Sequence, residues 1–418
     1  MSASEKSNLK TFTLFAADTS GRQVNIIEGV SGFYYYEDIF SPTVTASVTF
    51  LDTGNVFLDG KRTNVATGLP LRTNETCEIE IINPAKQTLK LNPGNMFVSR
   101  ISSSQRDQQK QVITLNMISG EAFTNEFSRV GRRLPPVGTH INVESIVRQE
   151  LQSDKRVITD TTPTQMAWQG NQKKPFTVIM SLAARTVASE GQSSGFLFYE
   201  TSEGFNYRSI DSLSAQEPVQ EYIYTNVNDS DQLNQVNATK IHAFNMEKIY
   251  DTFEALQLGV YSSISYVFDP LRTTITRSNN VITSGNLDKK IAKLGKDSIS
   301  PEGTLATSPS RIFVGVRDIG ALNRTELKEV NIEPDDYMAI SPLRYNILLR
   351  HVINIVVSSN FNLTAGKCII CNFPELDKNK KDDKLSGKYL IKELCHFISP
   401  MNQSLTYLKL VRDTYNEK

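Results

Sequence analysis

The residues best suited to chemistry are few. Cys368-Ile-Ile-Cys371, together with Cys395 and His396, offers four groups of the kind that bind zinc. A zinc knuckle needs turn residues between its cysteines, whereas Ile369 and Ile370 give this segment the character of an apolar strand. In a strand, residues three apart point to opposite faces, and so do neighbours such as Cys395 and His396. The spacing therefore predicts small buried hydrophobes and no metal site. Glu37-Asp38 and Asp335-Asp336 are acid pairs of the type used in glycoside hydrolysis. Adjacent acids also mark strand entries and helix caps, and nothing else singles these out. With only four histidines, His140, His242, His351 and His396, there is little material for a general base or a multi-histidine metal site. Gly-x-Ser-x-Gly, His-Glu-x-x-His, Walker-type and strand-borne Gly-x-Gly-x-x-Gly motifs are all missing. The reading assigns no catalytic, cofactor-binding or metal residue.

Two further clusters could bind without reacting. Phe33-Tyr-Tyr-Tyr36 could stack a base or a sugar, but it lacks a flanking basic groove and reads as barrel core and an interface belt. Lys378, Lys380, Lys381 and Lys384 share a short run with Asp377, Asp382 and Asp383, the composition of a solvated loop tip. Their alternative role is contact with an acidic partner surface. The whole chain balances 45 basic against 45 acidic residues, which excludes a surface built to wrap nucleic acid. Four cysteines in 418 residues are no disulfide framework. No apolar run approaches the roughly 20 residues needed to cross a bilayer. The start, Met1 to Lys10, has no signal-peptide character, so a protein made in a cytoplasm and not inserted in a membrane is expected.

The elements that must carry these residues are mostly strands, in a chain long enough for two to four domains. Across 42–50, Val44, Ala46, Val48 and Phe50 alternate with Thr43, Thr45, Ser47 and Thr49, the period of a half-buried strand. Strands are also expected at 77–82, 95–102 and 111–118, with a polar hairpin tip over 102–110. A closed or nearly closed antiparallel barrel would hide their edges. Helical spacing begins with Val143, Ile146, Val147 and Leu151, and a helix is expected over 176–190 with Pro175 in its first turn. A hairpin over 195–210 completes a small α+β unit. Further on, strands are expected at 241–246 and 261–268, loop over 278–310, and a helix from Ser341-Pro342 to about 350 with Ser341 as cap. Four strands follow, at 352–358, 367–373, 389–398 and 405–412.

The last hairpin matches the one near residue 100. Setting Gly94 against Gly387 without a gap pairs Val98 with Ile391, Ile101 with Leu394, Leu115 with Leu408 and Met117 with Leu410. A slip of one residue would turn every side chain to the other face, so sustained register suggests two copies of one module.

Read this way, the chain resembles the central baseplate hub proteins of large contractile-tailed phages, the myovirus type. The resemblance rests on Tyr36-Glu-Asp-Ile-Phe-Ser-Pro42, Leu51-Asp52, Gly68-Leu-Pro-Leu71 and Glu75 with Ile79 and Ile81 near one end. Near the other it rests on Leu363-Thr-Ala-Gly366, Pro374, Gly387-Lys-Tyr-Leu-Ile391, Leu394, His396, Thr406-Tyr-Leu-Lys-Leu410 and Arg412-Asp413. It implies an α+β, predominantly β fold: two tube-protein-like antiparallel β-barrels with inserted smaller α+β domains. The expected division is 1–120 for the first barrel, 121–215 for an α+β domain, 216–270 with 336–418 for the second barrel, and 271–335 for a loop-rich insertion. The implied function is structural and non-enzymatic. A homotrimer would join the sixfold tail tube protein to the threefold central spike protein, meet the baseplate wedge proteins, and let genome DNA pass. The location implied is the virion tail baseplate, assembled in the host cytoplasm. His396 falls in the family's strand pattern and is expected to be packed, not a base. Since the chain stops at Lys418 just past its last strand, a separate spike protein is expected. The alternatives are a hub of a related contractile injection system, a peptidoglycan-cleaving tail enzyme, and a sugar- or receptor-binding β-protein.

Overall fold

The computed structural model describes residues 8–18, 21–54, 56–58, 61–69, 71–107, 110–188, 194–225, 238–248, 251–281, 291–295, 308–318, 331–375, 381–399 and 404–414. Ten strands come first: β1 (Asn8–Phe15), β2 (Gln23–Asn25), β3 (Val30–Asp38), β4 (Thr45–Asp52), β5 (Val56–Leu58), β6 (Lys61–Thr63), β7 (Thr76–Ile82), β8 (Thr88–Leu91), β9 (Met96–Asp107) and β10 (Lys110–Ser119). Apart from a β5–β6 ribbon and β8, which pairs with β7, they hydrogen-bond in the order β2-β1-β7-β9-β10-β4-β3. Alternation sorts each strand's side chains: Ala46, Val48 and Phe50 of β4 are buried with Phe12, Phe33, Tyr35, Ile79, Leu115 and Met117. Thr45, Ser47 and Thr49 lie half-exposed on the other face. Within the expected hairpin tip over 102–110, strand pairing runs on to Asp107 opposite Lys110, and residues 108 and 109 lie outside the described residues.

The chain then builds its most helical part. Helices Gly120–Phe127, Thr139–Gln149, Pro175–Ala183 and Ile210–Ala215 alternate with β11 (Arg133–Gly138), β12 (Val157–Thr159), β13 (Gln165–Gln169), β14 (Phe196–Thr201) and β15 (Gly204–Ser209). Val143, Ile146, Ile179 and Leu182 pack with Phe198, Phe205 and Tyr207. The helix expected over 176–190 ends at Ala183. Arg185 and Thr186 bond back to Leu182 and Ala183 in a tighter turn. The buried Thr186 hydroxyl meets Leu182 O at 2.8 Å and Tyr207 Oη at 2.7 Å, and Val187 bridges to Ser194.

Six later strands close a barrel: β16 (Glu221–Tyr224), β17 (Lys240–Lys248), β21 (His351–Ser358), β22 (Cys368–Asn372), β23 (Gly387–Ile398) and β24 (Leu405–Arg412). The ring runs β22-β16-β17-β21-β24-β23 and back to β22. It closes through β16, which is parallel to both its neighbours, while every other pairing in the ring is antiparallel. Its core holds Tyr222, Ile355, Tyr389, Ile391, Leu394, Leu408 and Leu410. Between β17 and β21, β18 (Ser262–Asp269) lies between β19 (Thr274–Val281) and β20 (Arg311–Val316) in a separate sheet. β19 thus carries strand into the start of the span expected to be loop. The helix before β21 is Ile340–Leu348, with Ala339 ahead of it and Ser341 inside the first turn, not at the cap.

The two β units share one register. β9–β10 pairs Ile101 with Leu115, then Val98 with Met117, stepping over Ser99. β23–β24 pairs Leu394 with Leu408, then Ile391 with Leu410, stepping over Lys392. Under the Gly94–Gly387 alignment these pairs and the skipped residues coincide. The next strands repeat the match. Val48 of β4 lies opposite Leu115 and Phe33, and Ile355 of β21 lies opposite Leu408 and Phe244. β3 steps over Ser31 where β17 steps over His242. Register shifts are local devices that bend and twist a strand. Two of them at matching places identify β3-β4-β10-β9 and β17-β21-β24-β23 as copies of one module.

Candidate functional site

The two modules are joined edge to edge. β3 lies antiparallel to the C-terminal half of β23, with Asp38 opposite Glu393 and Phe33 opposite Ile398. The sheet therefore passes from one module into the other without a break, and each side of this junction has a distinct chemistry.

The buried side is a set of clamps. Tyr35 stacks on the His396 ring at 6.3 Å, and Phe361 meets that ring edge-on at 5.1 Å. His396 Nδ1 lies 3.0 Å from Thr406 Oγ1, and burial pulls its pKa down to about 3, so the ring is neutral. This is the packed strand residue that the sequence implies. Glu37 accepts the Ser202 N–H at 2.6 Å, the Ala365 N–H at 2.8 Å and the Tyr35 hydroxyl at 3.1 Å. One carboxylate thus ties β3 to the β14–β15 turn and to the loop before β22. Burial outweighs these donors and pushes its pKa up to about 7. Beside it, Glu200 accepts the Val44 N–H at 3.0 Å, and Lys155 Nζ bridges Glu200 and Glu121 at 2.6 Å each. Asn83 Nδ2 donates to Ser359 O at 3.0 Å, and the Phe361 N–H donates to Gln87 Oε1 at 2.9 Å. Gly366 ends the Leu363-Thr-Ala-Gly366 motif at φ +85, where an added Cβ would lie 2.1 Å from Tyr199 Oη.

The opposite side is a wall of mixed aromatic and polar residues. Thr45, Ser47 and Thr49 of β4 continue through Tyr34 and Tyr36 of β3 and Cys395 and Phe397 of β23 to Tyr407 and Lys409 of β24 and Asn354 of β21. Tyr34 stacks on Phe397 at 4.8 Å across the junction. A groove of about 850 Å³ opens on this face between Tyr36, Thr45, Asn245, Asn354, Tyr407 and Lys409. Its lysines are paired. Lys409 Nζ is 2.9 Å from Glu247 and 4.0 Å from Glu393, and Lys392 Nζ is 3.5 Å from Asp38. The Cys395 thiol is pushed up to about 11 by burial and stays protonated at neutral pH.

The sequence-stated candidates fall elsewhere. Lys378 and Lys380 lie outside the described residues. Lys381, bridged to Pro374, and Lys384 are exposed on the connection before β23, away from the β3 junction. Residues 381–386 are more than a solvated tip: Asp382 accepts from the Lys384 and Leu385 N–H groups, and buried Ser386 donates to Phe373 O at 3.2 Å. Cys368 packs with Leu213 and Val411, whereas Cys371 points into the barrel with Tyr222 and Tyr389. Cys395 faces the wall and His396 the core, so these four groups diverge. Among the described residues no three His, Cys, Asp or Glu side chains gather as a metal site. Sequence reasoning missed Glu37 as a clamp, because nothing in its neighbours' types signals contacts with Ser202 and Ala365.

Neither a protein-family model nor a curated protein sequence matches the chain. Solved structures do. A tail protein from Neisseria meningitidis MC58 superposes with a TM-score of 0.55 at 10% identity, over 98% of this chain and 97% of its own. The 43 kDa tail protein of prophage MuSo2 from Shewanella oneidensis gives 0.54 at 10% identity, over 96% and 98%. The chain is similar in fold to these tail proteins from end to end. Among the described residues no helix is long and apolar enough to cross a membrane.

Proposed function

We propose that the chain is the baseplate hub of a contractile phage tail, a structural adaptor that assembles in threes. The carrying observation is the pair of modules with one register, joined in one sheet. Three such chains present six similar units, which lets a threefold body seat a sixfold cylinder. In this reading the tail tube protein meets the ring on one side and the central spike protein on the other. Wedge proteins meet its rim, and Lys378, Lys380, Lys381 and Lys384 are proposed contacts with an acidic partner surface. This wall lines a passage for genome DNA, and assembly takes place in the host cytoplasm before the protein enters the virion.

The tail-protein fold along the whole chain supports a structural role. For a muralytic role the Glu37-Asp38 pair would have to face one open cleft together. Glu37 is instead buried and engaged by two backbone amides, and Asp38 caps the Phe40 N–H at 2.9 Å. Light scattering on the purified chain, alone and with its spike protein, tests the proposal. Three copies of the chain per particle, alone or with spike bound, are expected in at least one condition; a monomer in both would end the reading.

A further inference from the structure

Arg412 ends β24, opposite His351 of β21. Alternation puts its side chain on the same face as Leu408 and Leu410, at one end of the interior of the second barrel. It is 0% exposed. The guanidinium lies 5.2 Å from the centroid of the Tyr389 ring, and Nη1 donates to Ser386 O at 3.3 Å and Lys384 O at 3.4 Å. Nε and Nη2 are buried and have no hydrogen-bond partner. Among the described residues no carboxylate pairs with Arg412. Asp413 is on the other face of β24, where it accepts the Leu294 N–H at 2.9 Å and the Thr414 hydroxyl at 3.2 Å.

The two idle donors belong to one edge of the guanidinium, the edge that grips an anion with two parallel bonds. Arg132 uses the same two atoms on Glu150, Nε at 2.7 Å and Nη2 at 3.3 Å. A guanidinium cannot shed its proton, and one left buried without a counter-charge is strongly destabilising. The neighbouring His351 brings no negative charge; burial and the Arg412 charge pull its pKa down to about 4, so the ring is neutral. Nor does the module itself require a cation here. Under the Gly94–Gly387 alignment Arg412 corresponds to Ser119, whose N–H bonds Val44 O at the matching end of the first module.

We infer that Arg412 holds a small monovalent anion, of chloride size, in the buried end of the second barrel. Nε and Nη2 donate to it, and the single charge of the guanidinium is balanced. Phosphate or sulfate would bring further oxygens that need donors, and the Tyr389 ring and Cys371 beside this end offer little to meet them. A halide makes no such demand. The neutralised guanidinium then pins the carbonyls of Lys384 and Ser386, and with them the entry to β23, to the end of β24.

Anion exchange at constant ionic strength tests this. The full chain is dialysed into sodium gluconate, whose anion is too large for a buried site, and sodium chloride replaces it stepwise. The thermal midpoint is expected to rise by roughly 1–2 °C for each tenfold increase in chloride once the site begins to fill. Arg412→Met keeps most of the volume, removes the charge and is expected to abolish this dependence. A wild-type midpoint that ignores chloride, or an Arg412→Met midpoint that follows it equally, overturns the inference. Should Arg412→Met fail to fold, wild-type crystals grown in bromide decide. An anomalous peak within hydrogen-bonding reach of both Nε and Nη2 is expected, and water or a carboxylate of the chain on that edge overturns the site. A bromide peak there without any chloride dependence in solution would mark an adventitious ion only, which also overturns it.

Discussion

Glu37 shows how little of a site can be read from residue type. Beside Asp38 it looks like half of an acid pair, yet its oxygens are occupied by the amides of Ser202 and Ala365. Its pKa, raised by burial from 4.5 to about 7, makes stability depend on pH. As pH rises from 4.5, the unfolded chain loses this proton while the folded chain keeps it. Stability therefore falls across that window and levels off above about 7. His396 and His351 act in the opposite sense. Burial pulls them from 6.5 to about 3 and about 4, so stability falls as pH drops below 6.5. Glu37→Ala should cost stability at every pH, about 1–3 kcal/mol for each stranded amide. It should also remove the decline between pH 4.5 and 7, so that its penalty is larger at pH 5 than at pH 8. Urea midpoints across pH 4–8 check this; a variant with the wild-type slope would show that Glu37 is not the titrating group. His396 was legible as a packed residue because it falls in the strand pattern that carries the resemblance. Glu37 was not, since its partners lie far away along the chain.

At the scale of elements, the alternation in β4, β10, β21 and β24 was sufficient to place those strands and their buried faces. The short β16 was invisible, because four residues carry no period and its parallel pairing depends on strands distant in sequence. The shortened helix Pro175–Ala183 has a local cause that only the fold reveals, the buried hydroxyl of Thr186 meeting Tyr207. Leu115 and Leu408 occupy matching places in the two module cores and are almost wholly buried. Leu115→Asp and Leu408→Asp should each prevent folding, since an unpaired charge at such a site costs several kcal/mol. Circular dichroism and gel filtration decide it: soluble, native-like protein from either variant would contradict the core assignment at that position.

For the whole molecule, the repeat was legible where side-chain register is strict, in the closing hairpins. Its extension to β3 and β17 was not, because Phe33-Tyr-Tyr35 and Phe244-Asn-Met246 share little composition and correspond only through the strands they face. The wall along the joined sheet sets Lys409 and Lys392 against Glu247, Glu393 and Asp38, leaving no excess of positive charge. Fluorescence anisotropy with short DNA duplexes should therefore show weak binding that changes little with salt, because few phosphate counterions would be released. A steep loss of affinity with added salt would mean the wall grips phosphate.

The β3·β23 ladder has a mechanical consequence. Six consecutive residue pairs join the modules, and Glu37 on the buried side locks the β14–β15 turn and the loop before β22 to β3. A force sliding one module past the other along these strands must shear many hydrogen bonds at once, whereas a hinge would yield at a single joint. A body built this way transmits a sudden push almost undeformed.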